Sequence, residues 1–119
     1  MGWLVRLFGG VGSGKPSVSE HAVIVAFEYH STDLAPVHAL EDELESAVTR
    51  SSVGKYDGND IAVGGGDCSL YMYGPDADRL FEVVRPLLEA SPLMHGAVVK
   101  RRYGPPEDGV PETNVTIGS

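Results

Sequence analysis

Apolar and polar positions along this 119-residue chain follow two spacings, one typical of strands and one typical of helices. Residues 21–29 are rich in β-branched and aromatic types on both faces, which predicts a central strand. Residues 53–63 mix turn residues with short apolar runs and predict an irregular edge strand. Residues 68–73 alternate between apolar and hydroxyl-bearing types and predict a half-buried strand, and residues 97–103 predict a fourth.

Helical spacing dominates two intervening segments. A first apolar stripe predicts a helix over about 34–50 and consists of Leu34, Val37, Leu40, Leu44 and Val48. A second predicts a helix over about 76–90 and consists of Ala77, Leu80, Phe81, Val84, Leu87 and Leu88. The hydroxyl and carboxylate groups of residues 31–33 offer N-caps for the first helix, and Pro75 and Asp76 suit the start of the second.

The predicted order β-α-β-β-α-β favours the α+β class and a ferredoxin-like sandwich, with a four-stranded antiparallel sheet and both helices on one face. Residues 114–117 offer an extra C-terminal strand. We expect a single domain over 19–119, with a tail from about residue 104. Residues 1–18 then form a lead-in, flexible or packed on the surface, that ends in a glycine-rich linker.

Net charge and cysteine content favour some partners and cellular locations over others. A formal net charge of −8 favours solubility and disfavours nucleic acid and anionic membranes as partners. The lone cysteine, Cys68, cannot form an internal disulfide, which favours a reducing, cytoplasmic location. It alternates with Leu70 and Met72, so we expect it in the core. The apolar run over residues 3–8 is too short to span a bilayer.

The segment Gly9–Lys15 matches part of a phosphate-binding loop. Pro16 stands where the Ser or Thr that holds Mg²⁺ is required, and the following residues lead into a strand where a helix is needed. We therefore predict that the chain binds no nucleotide through Lys15.

Other candidate chemistry is sparse. The four histidines are scattered and are expected at the surface: His21, His30, His38 and His95. Glu28 and His30, together with Asp57 or Asp60, leave a metal site open as an alternative. The acidic cluster over residues 41–45 reads as a solvated helix face. No catalytic, metal or cofactor-binding residue is assigned, and a small enzyme or metal-binding protein stays the least favoured alternative.

Three segments carry a resemblance to known proteins. The run Tyr56-Asp57-Gly58-Asn59-Asp60 with its predicted Asp-Gly turn, the predicted glycine turn Gly64-Gly65-Gly66, and the run Leu70-Tyr71-Met72-Tyr73-Gly74-Pro75-Asp76-Ala77-Asp78-Arg79-Leu80-Phe81 together resemble a family of small uncharacterised bacterial proteins. More distantly, the Asp-Gly turn, the Tyr-Gly strand end and the acidic helix start resemble the family of ferredoxin-like regulators that inhibit ribonuclease E. The resemblance implies the fold and a non-catalytic, protein-binding role. It carries no active-site residues.

The uncovered face of the sheet is the predicted interaction surface. If Cys68 faces the helices, Tyr71 and Tyr73 face outward beside Ile24 of the first strand. Cations of the fourth strand are expected to flank them. These are Lys100 and Arg102 if one face of that strand points outward, or Arg101 if the other face does. Burial against a protein partner or a second copy is our preferred interpretation. Stacking of RNA bases on the tyrosines is the alternative, against which the net charge of −8 weighs.

Overall fold

The computed structural model describes residues 20–62 and 66–118. Five strands are arranged with two helices and one short 3₁₀ turn at residues 92–94. In chain order the elements are β1 (His21–Tyr29), α1 (Ala35–Arg50), β2 (Lys55–Ile61), β3 (Gly66–Gly74), α2 (Ala77–Ala90), β4 (Val98–Arg102) and β5 (Glu112–Thr116). The predicted α+β class is confirmed, and both predicted helices lie within one residue of their expected bounds.

The strands form one antiparallel sheet in the order β2-β3-β1-β4-β5. β1 is central, as its apolar faces predict, and it pairs with β3 along its whole length. The extra C-terminal strand is present as β5, which pairs with β4 at one edge. Ile117, directly after β5, is buried in the core, so the segment that follows residue 104 is anchored at its end.

One hydrophobic core lies between the sheet and the helices. Alternate residues of the central strands contribute to it, including Val25, Leu70 and Val99. The stripes of α1 and α2 supply the other side, with Leu44 and Leu80 fully buried. Because all of these strand positions share one face of the sheet, both helices cover that face and leave the opposite one uncovered among the described residues.

Each helix begins at a different kind of cap. Asp76 caps α2, and its carboxylate accepts hydrogen bonds from the backbone N–H groups of Asp78 and Arg79 at 3.1 and 3.2 Å. α1 instead begins after Leu34, whose side chain cannot cap. The expected cap residues lie just before it, where Asp33 accepts from the N–H of Ala35 at 3.1 Å.

The predicted Asp57-Gly58 turn is wrong, because both residues lie inside β2. The β2–β3 register shifts between Tyr56 and Gly58, and Gly58 has a φ of 142°. An extra residue in one strand forms a bulge, and glycine tolerates the positive φ that the bulge needs here. The sequence thus marks an irregularity within the edge strand, not its end.

Candidate functional site

The five residues of the predicted interaction surface lie on the face of the sheet opposite the helices, here called the open face. Ile24 is paired with Tyr71 of β3 on one side and with Lys100 of β4 on the other. One step along β1, Ala22 is paired with Tyr73 and with Arg102, although Ala22 was not among the five. The register therefore brings the predicted residues together in two adjacent rows across three strands.

The centre of the open face is apolar. Ile24, Tyr71 and Tyr73 are each half-buried by their cross-strand neighbours. Ala26 is exposed, and its β4 partner Val98 is 39% exposed. Burial raises the pKa of the Tyr73 phenol, and the Asp57 carboxylate raises it further, so this side chain remains a neutral hydroxyl.

The cations of β4 divide between the two faces of the sheet. Lys100 and Arg102 share the open face, whereas Arg101 points toward the helices. Arg101 Nη1 donates to Asp78 Oδ1 at 3.0 Å, and its guanidinium lies 5.1 Å from the centre of the Phe81 ring. The alternative assignment of Arg101 to the open face is therefore wrong. Its role is to tie β4 to the first turn of α2.

The two open-face cations of β4 already have partners within the chain. Lys100 Nζ lies 3.7 Å from Glu112 Oε1 of β5, and Arg102 Nε donates to the Gly104 carbonyl at 2.8 Å. Carboxylates occupy other positions of this face, including Glu28 opposite Asp67 and Asp60 opposite Ser69. The open face is an apolar centre within a mixed, predominantly acidic rim.

A buried carboxylate lies elsewhere, between α1 and β2. Glu41 is only 8% exposed, although the acidic cluster was predicted to be a solvated helix face. It accepts hydrogen bonds from the Tyr56 hydroxyl at 2.5 Å and the Asn59 amide at 2.8 Å, and His38 Nδ1 lies 3.0 Å away. The prediction is wrong for Glu41 because it lies four residues after Val37, within the apolar stripe. That spacing was the available signal.

These contacts determine the protonation states of Glu41 and Tyr56. Burial opposes ionisation of Glu41, but the hydrogen bonds from Tyr56, Asn59 and His38 and the charge of His38 outweigh it and hold the pKa of Glu41 below its ordinary value. Burial and the adjacent Glu41 carboxylate raise the pKa of Tyr56. An ionised acceptor and a protonated donor therefore form a polar clamp from helix to edge strand. Neither of the described surface cavities includes these residues.

Two cavities border the sheet. The larger, about 610 Å³, lies at the end where β1 extends past β4 and is lined in part by Glu28, Asp67 and His95. Cys68 reaches its wall but is 2% exposed, as its alternation with apolar residues predicts. The smaller, about 290 Å³, lies beside Tyr73 at the opposite end. Both are open clefts with mixed linings.

The structure also places the predicted histidine and metal-binding candidates. His30 Nε2 lies 3.2 Å from Glu28 Oε1, but no cluster of three or more metal-binding side chains occurs within residues 20–62 and 66–118. His21 is not a free surface histidine, because its Nδ1 accepts the Ala77 backbone N–H at 3.0 Å and so helps to cap α2. The phosphate-loop segment Gly9–Lys15 lies outside the described residues.

Comparisons with known proteins complete the description of the site. No protein-family profile matches the chain, and no curated protein or solved structure is significantly similar to it. Within the described part of the chain, no helix is long and apolar enough to cross a membrane.

Proposed function

We propose that this chain is a small non-catalytic module that binds a protein through the open face of its sheet. The observation that carries the proposal is the apolar centre formed by Ile24, Ala26 and Val98, which no described element covers. A sheet with one face against helices and an apolar, aromatic second face gains free energy when that face is buried. Half-buried tyrosines suit such an interface because each combines a large apolar ring with a hydroxyl.

The rim supports a protein over RNA as the partner. RNA needs unpaired cations beside the stacking rings. Here Lys100 is paired with Glu112 and Arg102 is bonded to the Gly104 carbonyl, while carboxylates at residues 28, 60 and 67 repel phosphate. One observation still favours RNA as the second candidate: the exposed Lys55 of β2 lies directly opposite Tyr73.

The topology supports assignment of the domain to the ferredoxin-like class. Its first four strands have the order β2-β3-β1-β4, in which the two β-α-β units interlock with both helices on one side. β5 is then an addition at the β4 edge. The likeness to the ribonuclease E regulators belongs to the same proposal. This resemblance implies a protein target. One of its motif residues, Gly58, lies in a β-bulge and not in the turn that the motif predicted.

Tyr71→Asp tests the proposal at the centre of the open face. A charge placed there costs free energy when the face is buried, so we expect partner binding to weaken by at least about tenfold. The measurement is quantitative capture from a lysate of the source cell, followed by titration of the recovered partner against wild type and variant. Glu43→Gln, an exposed change on α1, is the control that leaves binding unchanged.

Fluorescence anisotropy of labelled RNA tests the alternative that the chain binds RNA. Labelled single-stranded RNA is titrated at low and at physiological salt, and we expect no saturable binding. Micromolar affinity that weakens steeply with salt and is lost in Tyr71→Ala would contradict the protein-binding proposal in favour of RNA. Equal partner binding by wild type and Tyr71→Asp would show that a different surface is used.

A further inference from the structure

The two edges of the sheet differ in how readily they accept another strand. β2 is irregular, with a bulge after Tyr56 and the acidic residues Asp57 and Asp60 beside it. Bulges and inserted charges are the devices by which natural sheets block pairing at an edge. β5 has no bulge: it pairs with β4 in unbroken register from Glu112 to Thr116, and its one charged residue, Glu112, lies at the end of the strand.

Within the described part of the chain, the backbone of β5 presents hydrogen-bonding groups that have no partner. The amide of Tyr103 donates to the Pro111 carbonyl at 3.0 Å, and that of Ile117 donates to the Ala97 carbonyl at 2.8 Å. These bonds fix the alternation of the antiparallel ladder, in which every second residue bonds to the partner strand. Thr113 and Val115 therefore bond to β4.

The other three residues of β5 direct their N–H and C=O groups away from β4: Glu112, Asn114 and Thr116. Apart from the strand ladders, no backbone hydrogen bond within residues 20–62 and 66–118 involves any of the three. An unpaired row of this kind is a template for an added strand.

We propose that β5 pairs antiparallel with the β5 of a second copy of this chain, which joins two sheets into one continuous sheet. The sequence of the strand is self-complementary in that arrangement. With Asn114 opposite its own counterpart, each Glu112 lies opposite Thr116, so no two like charges meet. The three outward-facing residues of each strand then form about six backbone hydrogen bonds.

The charge of this edge is compatible with pairing to a second copy of the chain. Glu112 carries the only formal charge of β5, and Lys100 of the same chain lies 3.7 Å from it. The edge is thus nearly neutral, whereas the chain as a whole has a net charge of −8. Two copies repel through their remaining surfaces, and pairing at the compensated edge brings the fewest acidic groups together.

Strand pairing over five residues buries little side-chain surface, so the association is weak and depends on concentration. We expect a reversible dimer with a dissociation constant of about 10–100 μM in sedimentation equilibrium of the full chain. Asn114→Pro removes the central outward N–H while leaving the bonds of Thr113 and Val115 to β4 in place. The variant should weaken association by at least about tenfold, and the matched Asn114→Ser, which keeps the N–H, should not.

Hydrogen exchange provides a readout that does not depend on the variant. Amides of Glu112, Asn114 and Thr116 should become protected as protein concentration rises, whereas those of Thr113 and Val115 are protected at every concentration. A chain that stays monomeric at several hundred micromolar would overturn the proposal. So would a dimer that is broken by Tyr71→Asp and not by Asn114→Pro, because that dimer would use the open face. The edge pairing itself does not depend on the proposed function of that face.

Discussion

Gly74→Ala is expected to lower the free energy of unfolding by about 3 kcal/mol, the largest effect of any single methyl addition that we predict. A Cβ at Gly74 would lie 2.2 Å from the Val53 carbonyl oxygen. Gly54 makes the reciprocal approach, where a Cβ would lie 2.1 Å from the Tyr73 carbonyl oxygen. The backbone just before β2 and the backbone at the end of β3 are therefore in direct contact. An added methyl group must push these two segments apart.

Urea denaturation followed by circular dichroism measures the effect. Gly104→Ala is the matched control, because its added Cβ would meet only the Val110 side chain, at 3.1 Å, and neither glycine has a positive φ. We expect the control to change stability by no more than about 1 kcal/mol. Equal losses in both variants would contradict the backbone crossing as the cause.

Glu41→Gln is expected to lower the free energy of unfolding by about 2 kcal/mol at pH 7 and by progressively less in acid. The neutral amide loses the charge that strengthens the hydrogen bonds from Tyr56 and Asn59, and its own N–H groups face donors. The folded pKa of Glu41 lies below its ordinary value of 4.5. The stabilisation is therefore fully present above about pH 4.5 and is lost as the pH falls through the folded pKa.

The test is a series of urea unfolding curves between pH 3 and pH 7 for wild type and Glu41→Gln. Their stabilities should converge as the pH falls from about 4.5 through the folded pKa of Glu41, since protonated Glu41 resembles glutamine in charge. Glu43→Gln, an exposed change two residues along the same helix, should follow wild type throughout. A constant difference between wild type and Glu41→Gln down to pH 3 would show that ionisation of Glu41 does not contribute.

The positions of the two helices and of β3 followed from spacing, whereas β1 and β2 followed from residue types. The period of two in residues 68–73 gave both the element and the assignment of Cys68 to the core and Tyr71 to the open face, because alternation leaves only two choices of face. Apolar stripes fixed the helices equally well. The predicted surface residues came together because cross-strand neighbours follow from topology once the strand order is given.

Features that depend on two distant segments could not be predicted in this way. The spacing of Glu41 from Val37 indicated the buried side of α1, but the partners that satisfy its carboxylate, Tyr56 and Asn59, come from β2, which is distant in sequence. The direction of Arg101 depends on the phase of a short strand whose two faces carry similar residues. Asp and Gly are common both in turns and in bulges. The pair Asp57-Gly58 therefore indicated that the backbone is irregular here, but not whether the irregularity is a turn or a bulge.

The bulge in β2 also bears on how far strand addition can proceed. A sheet with two regular edges can gain strands at both, and each addition exposes a new edge that repeats the first. Of the two edges of the described sheet only β5 is regular, so the proposed pairing of two copies would use both regular edges and leave the two irregular β2 strands outermost. Head-to-head pairing of this kind closes on itself. In the proposed dimer, the irregular β2 strands would therefore limit lateral growth of the sheet to a single step.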